Sequence, residues 1–225
     1  EIVIMVAPRS MIRAALEGTH DAAGRLLSEW DTYSSSTYTY DSLDRVLSET
    51  IANSDSPTVV LTTGYDDSPL PPAGEGQGVK ALRTSLSATI AGAADFLRTF
   101  EYDARGQLTG VTQTGQTGGN VVANLDIDLT YDALGRFASI TRYQDSHLVA
   151  TSTWQYDAAY HLTALTHAQG ATTLAGYTWT YDSAGRLTEM TSPDGTVVYS
   201  YDSTSQLTGA DYSGGQDDET FEWDA

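Results

Sequence analysis

The chain has no cysteine in its 225 residues, which excludes a disulfide framework and thiolate metal sites. Basic side chains are scarce: eleven Lys and Arg stand against thirty Asp and Glu, for a formal charge of −19. That balance opposes binding to nucleic acid or an anionic membrane surface. It reads as an acidic, soluble surface open to cations or a basic partner. Long apolar runs are missing. Ile2 to Ala7 is too short for a membrane span or a signal-peptide core. There is also no Gly-x-Ser-x-Gly elbow, phosphate loop, dinucleotide fingerprint or calcium-loop pattern. No cofactor, metal site or catalytic residue is expected.

What the chain does have is repetition. A Tyr-Asp pair stands at Tyr40-Asp41, Tyr102-Asp103, Tyr131-Asp132, Tyr156-Asp157, Tyr181-Asp182 and Tyr201-Asp202. His20-Asp21 begins an earlier variant, and Phe221 to Ala225 starts one more copy, with Trp223 in the Tyr slot. A period of roughly 20–30 residues marks a repeat architecture, in which each unit buries its apolar surface against its neighbours. Glu1 is not a translation start and the last copy stops short, so the chain reads as a piece of a longer protein.

Within each copy an aromatic or large apolar residue stands three before the Asp (Tyr38, Phe100, Leu129, Trp154, Trp179, Tyr199, Phe221), and the Tyr stands one before it. Polar residues fall between, the period of a strand with one covered face. Asp followed three residues later by Gly24, Gly106, Gly135 or Gly185 predicts an Asx-turn with a left-handed glycine. Asp44, Tyr160 and Ser205 fill that slot elsewhere, and at Tyr160 either the residue should be strained or the turn should differ. An apolar residue follows the turn, and another comes three positions later, a spacing that calls for a bulge. Each repeat is thus a hairpin, and the hairpins should pair edge to edge with their rings stacked into ladders.

Three stretches depart from the pattern. Residues 1–17 are irregular, with a strand expected at Glu1 to Val6 and a short helix at Met11 to Glu17. A Pro/Gly-rich insertion occupies about residues 64–79, after a decayed pair at Tyr65-Asp66. Hairpin turns are expected at Ala91 to Ala93, Gly115 to Asn120 and Ser192 to Gly195. The repeat array therefore runs over about residues 18–225.

The run Tyr181-Asp182-Ser183-Ala184-Gly185-Arg186-Leu187-Thr188, and nearly as well Tyr131 to Phe137, resembles the YD repeat, also called the Rhs repeat. The family includes Rhs polymorphic toxins, the C component of insecticidal toxin complexes, wall-associated proteins and teneurins. The resemblance implies an all-β array of tandem antiparallel hairpins in a continuous twisted sheet, part of a spiral shell. It also implies a non-enzymatic scaffold in a large secreted or surface-exposed bacterial protein. Its partners would be the remaining repeats of the parent and an enclosed C-terminal domain. Toxin members carry Asp-Pro-x-Gly motifs with self-cleavage; no Asp-Pro occurs here, so neither that site nor a toxin domain is expected.

Several side chains carry a chemical alternative. Asp126 and Asp128 alternate on one strand, where they are either a solvated edge or a carboxylate pair for a cation or a glycosidase. Asp66-Asp67 and Asp217-Asp218-Glu219 read as loop charges. His20 and His161 fit repeat drift, and a metal site using His161 and His167 lacks a third ligand. Arg25, Arg45, Arg136 and Arg186 either bind an anion, pair with their own repeat's Asp, or lie over a neighbouring Tyr. The aromatic stripe either builds the ladder or forms a glycan platform, the basis of the alternative reading as a surface adhesion module.

Overall fold

The computed structural model describes residues 17–66, 82–213 and 217–223, which form strands and turns and no helix. The strand expected at the N-terminus lies outside these residues, as does most of the expected helix. Glu17 opens a strand instead, paired with Trp30. The chain divides into two compact units, Glu1–Arg98 with Gly115–Val122, and Thr99–Thr114 with Ala123–Ala225.

In the first unit β1 (Glu17–His20), β2 (Leu26–Trp30), β3 (Ser34–Tyr40), β4 (Val46–Asn53), β5 (Ser56–Tyr65) and β6 (Arg83–Ile90) form an antiparallel meander. Strand β7 (Ala93–Tyr102) runs across the division. The second unit continues as β8 (Leu108–Gly115), β9 (Leu125–Tyr131), β10 (Phe137–Gln144), β11 (His147–Tyr156) and β12 (Leu162–Gln169). It ends with β13 (Thr172–Tyr181), β14 (Leu187–Ser192), β15 (Gly195–Tyr201), β16 (Leu207–Tyr212) and β17 (Glu219–Thr220). Here too each strand pairs antiparallel with the next. The fold is all-β, made of tandem hairpins.

The three-residue apolar spacing is resolved by a bulge. Tyr40 faces Val46 and Thr39 faces Ser48, so Leu47 is the extra residue. The same slip leaves out Leu27, Ala138, Thr163, Thr188 and Thr208. The added residue returns Ile140, Leu165 and Met190 to the face carrying the Tyr and Trp rings. Trp154 accordingly faces Leu165, and Trp179 faces Met190. The opposite face is a carpet of hydroxyls joined across strands, among them Thr39–Ser48 at 2.6 Å, Thr130–Ser139 at 2.7 Å and Thr191–Thr196 at 3.0 Å.

Burial is shallow. Ala88 and Ala210 are the only fully buried apolar residues among those described, at 3% and 2% exposure. The aromatic face is half-covered, so an isolated ring contributes well under the roughly 1.5–3 kcal/mol of full burial.

The Pro/Gly-rich insertion lies outside the described residues from position 67, but its ends are in place. Asp66 N–H donates to the Leu82 carbonyl at 2.9 Å. Each regular turn closes with the same bond, from the Asp N–H to the carbonyl four residues on, as in Asp41 to Arg45 at 3.0 Å. The strands on either side of it, β5 and β6, pair antiparallel as in the regular hairpins. The connection after Gly115 is longer than the turn expected at Gly115 to Asn120, because β9 begins only at Leu125. Asp95, 6% exposed, anchors that connection by accepting from the Asn120 N–H and Nδ2 at 2.9 and 2.8 Å.

Candidate functional site

The recurrent constellation is the joint between one hairpin and the next. It begins at the turn. In the copies headed by Asp21, Asp41, Asp103, Asp132, Asp157, Asp182 and Asp202, Oδ1 accepts the backbone N–H groups two and four residues on, at 2.8–3.0 Å. The fourth residue is left-handed whatever its identity: φ is 78° at Gly106, 83° at Gly135 and 79° at Gly185, but also 62° at Asp44, 74° at Tyr160 and 70° at Ser205. Tyr160 therefore keeps the common turn and bears the strain.

The second Asp oxygen holds the cation of the same turn. Oδ2 accepts Nε of Arg25 at 2.6 Å, of Arg136 at 2.7 Å and of Arg186 at 2.6 Å, and Arg45 bonds Asp41 likewise. Thus fixed, the guanidinium lies over the Tyr of the next repeat: Arg25 over Tyr40 at 4.9 Å, Arg45 over Tyr65 at 4.4 Å, Arg136 over Tyr156 at 4.0 Å and Arg186 over Tyr201 at 4.8 Å from the ring centre. His161 substitutes, bonded to Asp157 at 3.0 Å and stacked on Tyr181 at 4.5 Å. The covered Tyr then donates its hydroxyl backwards to the carbonyl just before the previous bulge: Tyr40 to Leu26 at 2.7 Å, Tyr131 to Leu108 at 2.8 Å, Tyr156 to Phe137 at 3.2 Å, Tyr181 to Leu162 at 2.9 Å and Tyr201 to Leu187 at 2.8 Å. Trp223 does the same through Nε1, to Leu207 at 2.7 Å. A bulge disrupts the regular ladder locally, and the phenol supplies a donor there.

The Arg, or the Gln that replaces it, also reaches the next turn. Arg25 Nη1 donates to the Asp41 carbonyl at 3.2 Å and to Asp44 at 2.8 Å, Arg186 Nη1 to Ser205 Oγ at 3.2 Å, and Gln107 Nε2 to the Gly135 carbonyl at 3.0 Å. One side chain therefore bonds its own turn, the next ring and the next turn.

The expected ladder of stacked rings is replaced at these joints by cation on ring. Among the described residues, contact between Tyr, Phe and Trp rings is found at Tyr131–Phe137 at 5.1 Å, Phe137–Trp154 at 5.7 Å and Tyr177–Trp179 at 6.2 Å. Successive Tyr residues are two strands apart, and the Arg fills the gap between them.

The joints set the electrostatics. The Arg25 and Arg186 N–H groups, followed by their guanidinium bonds, lower the pKa of Asp21 and Asp182. At Asp41, Asp132 and Asp157 partial burial pushes upward, but the bonds from Arg45, Arg136 and His161 outweigh it and the pKa falls. Desolvation raises Tyr131 and Tyr181, helped by the charges of Asp103 and Asp157. Tyr38 is pushed up to about 12 by desolvation and by its bond to Glu29 at 2.9 Å.

The other candidates fall elsewhere. Tyr102 ends β7, and Asp103 and Gly106 form the turn after it. Asp126 and Asp128 are exposed on one strand, lining an open depression of about 460 Å³ with Thr112 and Tyr143, not facing each other across a cleft. Among the described residues no cluster of His, Asp and Glu fits a metal ion. Asp218 accepts the Tyr212 N–H at 2.9 Å. His20 is exposed at the end of β1, and His167 bonds Ser152 at 2.8 Å.

The RHS Repeat family matches residues 20–55, 175–197 and 181–217, the segments holding the joints of Arg25 with Tyr40 and of Arg186 with Tyr201. Those segments carry RHS repeats. No curated protein matches it. Among solved structures, the chain is similar to the Tc holotoxin pore of Photorhabdus luminescens, a TccC3 mutant, at 16% identity and TM-score 0.43 over 88% of this chain and 12% of that one. It is similar to a complex of TcdB2-TccC3 with Cdc42 at 14% identity and TM-score 0.36, over 91% and 15% of the two chains. A porin-like protein from Bacteroides uniformis aligns over 91% of both chains, at 14% identity and TM-score 0.37. The chain thus spans a small fraction of the two toxin chains. Among the described residues no helix is long and apolar enough to cross a membrane.

Sequence reasoning placed the Tyr, Asp, Gly and Arg positions but missed two things. Tyr65 makes a full joint, with Arg45 over its ring and its hydroxyl on the Val46 carbonyl at 3.0 Å. Its post-turn signature is replaced by the insertion, so only the Tyr-Asp pair itself signalled it. The network of Arg142, Ser152 and His167 carries no motif.

Proposed function

We propose that this RHS-repeat chain is a non-catalytic wall segment of a hollow β-shell in a large secreted or surface-exposed bacterial protein. The carrying observation is the joint. The Asp-Arg pair of one hairpin holds the ring and the turn of the next, so order passes from repeat to repeat without a deep core. A wall built this way excludes proteases and solvent-borne partners by geometry alone. The parent's remaining repeats and an enclosed C-terminal domain are its partners in this reading. The alternative, a glycan-binding adhesion module, calls for rings grouped in the open. The rings most open to solvent, Tyr33, Tyr160 and Trp223, instead lie near hairpin turns and the last described residues.

Limited proteolysis of the intact parent protein tests the reading. A C-terminal domain that resists cleavage in the parent, and is cut readily once this segment is deleted, is the expected result. Equal cleavage in both would refute enclosure.

A further inference from the structure

We propose that the aromatic face of the second unit, around Arg142, docks a polypeptide segment presenting a carboxylate among apolar side chains. Arg142 stands apart from the arginines of the joints. Arg25, Arg136 and Arg186 each bond an Asp at 2.6–2.7 Å. Arg142 instead donates through Nη1 to Ser152 Oγ at 3.0 Å, and among the described residues no carboxylate lies within ion-pair distance of it. In a chain with thirty acidic side chains, this guanidinium stands on an aromatic face with no acidic partner among the described residues.

The guanidinium is also held in position. Ser152 is 1% exposed, and its hydroxyl lies 2.8 Å from His167 Nδ1. With Nδ1 as acceptor, Ser152 donates to His167 and its lone pairs face Arg142. Ser152 thus divides its hydrogen bonds between His167 and Arg142, which holds one edge of the guanidinium and leaves its other N–H groups pre-organised for a bidentate oxyanion.

The surroundings favour a peptide over a sugar. Trp154, Tyr177 and Trp179 share the face and are half-covered. His167 meets Tyr177 edge-on at 82°, and Phe137 meets Trp154 at 37°. Tyr177 and Trp179 lie nearly parallel, at 15°. Tilted rings interleaved with Ile140 and Leu165 make an uneven apolar surface suited to side chains, where a flat sugar ring finds no continuous platform. The net charge of −19 repels anions at long range, so attraction to a carboxylate is confined to the reach of Arg142. The inference stands whether or not the wall closes into a shell.

The test titrates the full chain with two capped peptides, acetyl-Ala-Leu-Phe-Glu-Leu-Ile-Ala-amide and its Glu-to-Gln counterpart, following Trp fluorescence. The Glu peptide is expected to bind about tenfold more tightly or better, as a hydrogen bond to a charged group implies. Arg142→Gln, with its fold checked by circular dichroism, should erase the difference. Equal affinity of the two peptides for the unaltered chain overturns the proposal without any variant. So does a Glu preference that survives Arg142→Gln, or binding of polygalacturonate in place of both peptides.

Discussion

The guanidinium of Arg186 lies 4.8 Å from the centre of the Tyr201 ring, while its own Nε is bonded to Asp182 at 2.6 Å. The two residues belong to successive repeats, and the Tyr201 hydroxyl returns to Leu187, the residue after Arg186, at 2.8 Å. Each individual contact is weak: roughly 0.5–1 kcal/mol for an exposed cation on a ring, and about 1 kcal/mol for a hydrogen bond. Repetition makes them matter, because stability in a repeat array is close to a sum of neighbour terms.

Removing one hydroxyl isolates one of those terms. Tyr181→Phe keeps the ring under His161 but loses the 2.9 Å bond to the Leu162 carbonyl. A loss of about 1 kcal/mol in urea unfolding is expected. No change would mean that water satisfies that carbonyl equally well.

The left-handed turn position gives two variants of opposite sign. Gly185 has φ of 79°, and a Cβ there would stand 3.0 Å from His161 Nε2. Gly185→Ala should cost about 1–2 kcal/mol. Tyr160 holds the same conformation at 74° and is 65% exposed, so Tyr160→Gly should raise the unfolding midpoint. The loss of its 5.4 Å contact with Arg136 offsets part of that gain. A lower midpoint for Tyr160→Gly would show that the Arg136 contact outweighs backbone strain.

Acid should loosen the turns. The pKa of Asp182 is lowered in the folded chain by the Arg186 N–H and then by its guanidinium. The unfolded chain, titrating near pH 3.9, therefore binds more protons in this range. Its contribution is present above the unfolded value and is lost as pH falls through the lower folded one. Protonation also relieves repulsion in a chain of −19, an effect of opposite sign. Asp182→Asn separates the two. Urea midpoints measured from pH 7 to pH 3 should fall less for the variant than for the parent chain, and an identical fall would rule out the turn as the cause.

How much of this was legible depends on what repeats. Tyr131, Asp132, Gly135 and Arg136 recur at fixed spacing, so strand, turn and left-handed glycine could be read directly. The bulge at Ala138 was legible as well, because Phe137 and Ile140 need one extra residue to share a face. The partner of each ring was not. Spacing along the chain does not say that Arg136 fills the gap before Tyr156, so the rings were expected to touch one another. Arg142 and Ser152 sit at positions that other copies fill differently, and only the register of β10, β11 and β12 brings them to His167.

The account rests on coupling between neighbouring repeats, and a double-mutant cycle measures it directly. Arg186→Ala, Tyr201→Leu and the double variant would each be unfolded in urea beside the unaltered chain. A coupling energy of about 1 kcal/mol is predicted, because Arg186 acts on both the Tyr201 ring and the following turn. Additivity within about 0.3 kcal/mol would contradict the joint as the element that passes order from one repeat to the next.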